Sequence, residues 1–117
     1  MKIALYIISF LLIGCTLQKK EKPDGVLNEV MFKNILKEVH LGEAAFEINK
    51  SQEIEYAQNT LANSYKTTYE KYNVSEVNFV KSLVYYTENP KKLEKIYSQI
   101  LEELTKKKST LNQQETN

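Results

Sequence analysis

The chain has 117 residues, which is enough for one small domain. Its 16 basic and 15 acidic residues give a formal net charge of +1, and every basic residue is a lysine. Because arginine is the usual bidentate ligand for phosphate, this balanced, arginine-free composition argues against nucleic-acid binding. The three glycines are too few and too scattered for a phosphate-binding loop.

Residues 1–14 are predicted to be a signal peptide. Lys2 precedes an apolar run from Ile3 to Ile13, a pattern typical of secretory signals. The run is shorter than the roughly 20 residues that a membrane-spanning helix needs. Gly14 supplies the small residue that a signal peptidase requires before its cleavage site.

The sequence Leu-Ile-Gly-Cys, ending at Cys15, resembles the lipobox of bacterial lipoproteins. The resemblance implies that the Cys15 sulfur receives a diacylglyceryl group and that Cys15 becomes the acylated amino terminus. A thiol is a suitable nucleophile for this transfer, and a lone cysteine cannot form an internal disulfide. We therefore expect a membrane attachment through lipid at Cys15, and no other cofactor.

Residues 15–25 are polar and are predicted to be a flexible tether that follows the lipidated cysteine. Surface-exposed lipoproteins of Bacteroidota typically carry an acidic cluster directly after the cysteine. This chain has Lys19 and Lys20 there instead. The absence of an acidic cluster favours the periplasmic face of the outer membrane, with the chain anchored there by its lipid.

Residues 26–105 are predicted to form an all-α domain, a small bundle of three or four short amphipathic helices, because apolar residues recur at spacings of three and four. Ser51 is a candidate N-cap for the second helix, and Ser75 for the third. Asn89 and Pro90 are predicted to begin a fourth helix, since proline is favoured at the first helical position.

Two features of this pattern remain to be interpreted. Gly42 interrupts the first apolar stripe, which indicates either a close approach between helices or a tolerated glycine. Residues 106–117 are rich in lysine and then in uncharged polar residues, without helical periodicity. This tail is predicted to be disordered.

His40 is the only histidine, and Glu43 lies three residues later on the same helix face. A metal centre in a helical bundle needs additional carboxylates and a second histidine from other helices, and a zinc site needs three or four ligands. We therefore expect no metal and no catalytic residues. His40 is predicted to be a structural residue, hydrogen-bonded to Glu43 or to a nearby tyrosine.

Seven of the eight tyrosines follow the signal peptide. Adjacent helical residues point about 100° apart, so Tyr85 and Tyr86 cannot both face one core stripe. Tyr86 shares a stripe with Phe79 and Leu83, which predicts that it points inward. Tyr85 is then predicted to be exposed and to contact a protein partner.

Two segments, Ile35–Phe46 (ILKEVHLGEAAF) and Tyr69–Tyr97 (YEKYNVSEVNFVKSLVYYTENPKKLEKIY), together with the lipobox, resemble the Bacteroidota lipoprotein family called domain of unknown function 4296. The resemblance covers residues 27–104, and its most specific part is the YY-x-x-NP motif that ends at Pro90. The family's His-Leu-x-Glu-Ala pattern matches His40 to Ala44. It implies a small helical, lipid-anchored envelope protein without an assigned reaction.

The function expected from these observations is that of a non-catalytic accessory or scaffolding subunit of an outer-membrane or periplasmic assembly, with an envelope protein as its partner. One alternative is a small metal-binding or hydrolytic protein that uses His40 and Glu43. Another is a carrier of a small ligand or lipid. A domain of this size is expected to leave little room for an internal cavity, which weighs against a carrier.

Overall fold

The computed structural model describes residues 22–116. Four helices make up most of this range, α1 (Glu29–Asn49), α2 (Ile54–Lys71), α3 (Glu76–Thr87) and α4 (Pro90–Glu115), and it contains no strand. The predicted all-α fold is confirmed. The predicted signal peptide (1–14), Cys15 and most of the predicted tether lie outside the described residues.

Local side-chain chemistry explains where three of the helices begin. The Asn28 side chain accepts a hydrogen bond from the Met31 backbone N–H, and the Ser75 side chain accepts one from Asn78 in the same way. These N-caps occupy amide groups that the first helical turn leaves without partners. Pro90 begins α4 as predicted. The prediction for Ser51 is wrong, because Glu53 is the N-cap residue of α2.

The core is an aromatic stack where α1 meets α3. The Phe32 ring lies 4.4 Å from the Tyr86 ring and 5.7 Å from the Phe79 ring, centroid to centroid. Ile96 and Ile100 bring α4 into the same core. Tyr86 is 2% exposed, so it points inward as predicted.

α1 and α2 pack as an antiparallel hairpin in which Gly42 permits close contact. A Cβ atom added to Gly42 would lie 2.6 Å from the Ser64 Oγ on α2. Of the two interpretations of this glycine, the close helix approach is therefore the correct one. Four large apolar residues are exposed on the second half of α1 and the start of α2, and we call them the hairpin end: Leu41, Ile48, Ile54 and Tyr56.

The segment that precedes α1 is fastened along α3. We call residues 24–27 the strap. The Leu27 N–H donates to the Ser82 Oγ at 2.8 Å, and the Tyr86 hydroxyl donates to the Leu27 carbonyl at 2.7 Å. The Lys81 ammonium donates to the Asp24 carbonyl. The predicted tether, which was expected to run to residue 25, therefore already belongs to the folded domain at Asp24.

The prediction of a disordered tail from residue 106 is wrong for most of that segment, because α4 continues to Glu115. Lysine, glutamine, glutamate and leucine are good helix formers, so a helix that is already nucleated can extend through them without an apolar stripe. Every residue from 105 to 116 is exposed, so this extension has no buried face. Within residues 22–116, no helix combines the length and apolar content needed to cross a bilayer.

Candidate functional site

His40 and Glu43 lie on α1, and their side chains are hydrogen-bonded. The His40 Nδ1 is 3.3 Å from a Glu43 carboxylate oxygen. One helical turn separates the two residues, which places them on the same face as their spacing predicted. Both side chains are partly open to solvent, with 42% of His40 and 46% of Glu43 exposed.

Two tyrosines from other helices extend this pair into a chain of four side chains, which we call the polar cluster. The Tyr97 hydroxyl on α4 lies 3.1 Å from the His40 Nε2. The Tyr65 hydroxyl on α2 donates to the second Glu43 oxygen at 3.0 Å. The cluster therefore connects three helices. The sequence suggested a tyrosine neighbour for His40 but not which one, because that depends on how the helices cross.

The hydrogen bonds define which atom donates at each step. An ionised carboxylate only accepts, so the His40 Nδ1 carries the proton that is shared with Glu43. In neutral histidine the Nε2 then accepts from the Tyr97 hydroxyl. Burial, and then the hydrogen bond to the Glu43 carboxylate, raise the pKa of Tyr65 to about 12. Tyr65 therefore remains a hydrogen-bond donor at neutral pH.

This geometry limits the chemistry that the polar cluster can perform. Both nitrogens of His40 have hydrogen-bond partners within the protein. Residues 22–116 contain no group of three or more histidine, cysteine, aspartate or glutamate side chains placed to hold a metal ion. The direct effect of the arrangement is to join α1, α2 and α4.

Tyr85, the predicted partner contact, is 7% exposed, so the prediction that it is a surface residue is wrong. After a turn of two residues, α4 folds back against α3 and covers the side on which Tyr85 lies. Its hydroxyl accepts a hydrogen bond from the Lys92 ammonium at 3.2 Å. Its ring lies edge-on to Tyr86, with centroids 5.0 Å apart. Tyr85 is therefore part of the core and not a contact site.

Lysine–glutamate pairs attach α1 to both of its neighbours. Lys71 on α2 contacts Glu38 at 2.6 Å, and Lys33 and Lys37 both contact Glu103 on α4, the latter at 2.8 Å. Hydrogen bonds from the two lysines lower the pKa of Glu103. Burial alone would raise the pKa of Glu38, but the hydrogen bond from Lys71 contributes to a net lowering. These carboxylates are therefore charged at neutral pH and serve as helix-to-helix contacts.

A surface groove of about 710 Å³ lies beside the polar cluster, between the second half of α2 and the start of α3. Tyr65 belongs to both the groove and the cluster. Burial raises the pKa of Tyr69, which also lines the groove. The groove is within the size range of small-molecule sites, although it opens at the surface and is not an internal cavity. Its other lining residues are Ala62, Lys66, Glu70, Asn73, Val74, Ser75 and Glu76.

Comparison with known protein families identifies the whole helical unit. The family model described as "Domain of unknown function (DUF4296)" matches residues 23–110. The chain belongs to this family. The DUF4296 match begins just before the strap and includes all four members of the polar cluster, and it ends within the exposed extension of α4. No curated protein and no solved structure matches the chain.

Proposed function

We propose that this chain is a lipid-anchored envelope protein on the periplasmic face of the outer membrane, and that it acts as a non-catalytic accessory or scaffolding subunit. The observation that carries the proposal is the hairpin end. Ile48 is 72% exposed, Tyr56 60% and Ile54 51%. Large apolar side chains that are exposed on both helices, near the turn that joins them, favour a protein-docking surface.

The partner can be sought from the native envelope. Wild-type protein and an Ile48→Asp variant, each with the same affinity tag, should be recovered from solubilised membranes and compared by quantitative mass spectrometry. A specific partner should be depleted by Ile48→Asp, because a charge placed in an apolar contact remains without a counterpart. Leu111→Asp, at a position 51% exposed on α4, is the matched control. A partner recovered equally with both variants would contradict docking at the hairpin end.

The anchor is tested separately at Cys15. Replacement of this only cysteine by alanine should prevent lipid modification, abolish labelling by an alkyne fatty acid and stop maturation of the precursor. Cys15→Ser tests the same sulfur with less change in volume. If either variant still fractionates as a processed, acylated membrane protein, the lipoprotein assignment is wrong.

A metal-binding or hydrolytic function would have to use His40 and Glu43. Their mutual hydrogen bond and the contacts with Tyr97 and Tyr65 favour a structural role instead. His40→Ala should therefore lower the melting temperature without changing metal content. Stoichiometric zinc or iron in the wild-type protein that disappears from the His40→Ala variant would reverse this assignment.

The groove supports a second candidate function, that of a carrier for a small ligand. Two tyrosines on its wall provide aromatic surface, and Lys66 and Glu70 provide charges of both signs. Native mass spectrometry of protein isolated gently from membranes would detect a bound ligand. An Ala62→Trp substitution should fill the groove and abolish such an adduct, while Ala44→Trp, at an exposed site on α1, should not. A protein that is always free of ligand would leave only the accessory role.

A further inference from the structure

α3 has an outer face that carries three aligned valines. Val77, Val80 and Val84 are 73%, 48% and 54% exposed. They are spaced three and four residues apart, so they lie along one side of the helix, opposite Phe79 and Tyr86 in the core. We call these three residues the valine face. Single exposed apolar residues are ordinary, but an aligned row on one helix is a surface that a partner can cover.

The strap leads towards this face. Leu27 contacts Ser82, which is fully buried, whereas Asp24 contacts Lys81. Lys81 follows Val77 by four residues and precedes Val84 by three, so it lies beside the valine face. From Leu27 back to Asp24, the chain therefore runs from the core side of α3 towards its outer side. The strap therefore begins, at Asp24, in contact with a side chain that borders the valine face.

We propose that the valine face rests on the surface of the lipid bilayer; this inference depends on the lipid anchor proposed at Cys15. Asp24 follows that cysteine by nine positions, and an extended chain of this length reaches about 30 Å. The anchor thus keeps the domain close to the membrane, and the strap that leads to the anchor lies along α3. Under that confinement even weak burial of three valines selects an orientation, because the local concentration of bilayer surface is high.

The hairpin end lies far from the strap. It is at the far end of α1, which has 21 residues and is therefore about 30 Å long. The valine face is flanked by Glu76, Lys81 and Glu88, so charge gives it no attraction to anionic lipid. The expected contact is with the apolar and interfacial part of a zwitterionic bilayer.

The chain contains no tryptophan, so a single introduced tryptophan reports its surroundings without background. The chain from Cys15 to Asn117, the form that the proposed processing leaves, should be coupled through its only thiol to maleimide lipid. The vesicles should be phosphatidylcholine with bromine on the acyl chains near the headgroups. Val80→Trp and Val84→Trp are the test variants. Tyr56→Trp, at an exposed position of the hairpin end, is the matched control.

Val80→Trp and Val84→Trp should each lose most of their fluorescence on brominated vesicles relative to unbrominated ones, and Tyr56→Trp should lose little. Equal quenching at all three positions, or stronger quenching at position 56, would overturn the proposal. So would a concentration-dependent blue shift of Val80→Trp in lipid-free solution, because a second copy would then cover the valine face. The anchor is made chemically in this assay, so its outcome is independent of whether cells acylate Cys15.

Discussion

The contact between Tyr86 and Leu27 allows the attachment of the strap to be measured. In Tyr86→Phe the ring remains stacked on Phe32 at 4.4 Å, and only the hydroxyl that donates to the Leu27 carbonyl at 2.7 Å is lost. A hydrogen bond of this kind contributes about 0.5–1.5 kcal/mol, and the partly buried carbonyl left without its donor adds a fraction of the cost of about 1–3 kcal/mol for a fully buried group. We therefore expect Tyr86→Phe to lower the free energy of unfolding by about 1–2 kcal/mol.

Thermal and urea denaturation followed by circular dichroism would measure this loss. For a domain of this size, each kcal/mol lowers the melting temperature by roughly 4–8 °C. Hydrogen exchange adds a local measurement, because the Leu27 amide, which donates to Ser82, should lose protection as the strap loosens.

Tyr85→Phe is the matched control, since it removes a hydroxyl from the neighbouring core tyrosine. That hydroxyl accepts from Lys92 at 3.2 Å, and the lysine can turn to water when the hydroxyl is absent. Its loss should cost less than about 0.5 kcal/mol. If Tyr85→Phe destabilises the protein as much as Tyr86→Phe does, the strap contact has no special importance and the reasoning fails.

Three further predictions concern the hairpin, the buried phenols and the end of α4. Gly42→Ala should stabilise the protein by up to about 1 kcal/mol in a Ser64→Ala background. In the wild type the gain should be smaller, because the Ser64 Oγ would lie 2.6 Å from the new methyl group. Equal effects of Gly42→Ala in the two backgrounds of this double-mutant cycle would contradict the contact. The pKa of Tyr65 and of Tyr86 is raised to about 12, so the folded state holds these protons more tightly than the unfolded state. The stability that this difference contributes is present below about pH 10 and should be lost as the pH rises through 12. Denaturation curves of a Tyr65→Phe variant should show a smaller loss of stability at alkaline pH. Ending the chain after Thr105 should reduce the helical circular dichroism signal. The free energy of unfolding should change by less than about 0.5 kcal/mol, because residues 105–116 are exposed. A large fall in melting temperature would show instead that the extension is packed.

The sequence predicted the helices well because their signals are local. Ser75 and Pro90 mark helix starts through capping and through the missing proline N–H, and neither effect depends on the rest of the fold. The pairing of His40 with Glu43 was predictable for the same reason, since helix geometry alone brings residues three apart together. The contacts of this pair with Tyr65 and Tyr97 join residues 22 and 57 positions apart, which no local pattern encodes.

The error at Tyr85 has a different cause. An apolar stripe predicts one buried side of a helix, but α3 is contacted on two sides, by α1 with the strap and by α4. Its buried arc is therefore wide enough for Tyr85 and Tyr86 together, and for Ser82. Ser82 is fully buried because its hydroxyl donates to the Asn78 carbonyl and accepts from Leu27. A hydrophobicity pattern cannot reveal a polar residue whose hydrogen bonds are met inside the fold.

The positions of the strap and the hairpin end give the two proposals a common geometry. If the valine face of α3 rests on lipid, the strap is at the membrane, and α1 leads from the strap to the hairpin end over about 30 Å. The polar cluster joins α1 to α2 and α4 partway along that path, and Glu38 and Glu103 add charged contacts to the same helices. A hairpin braced in this way can present Ile48 and Tyr56 at a set distance from the bilayer, which is what a scaffolding subunit requires. Docking at the hairpin end and lipid contact at α3 should therefore be separable by substitution, because no described residue belongs to both surfaces.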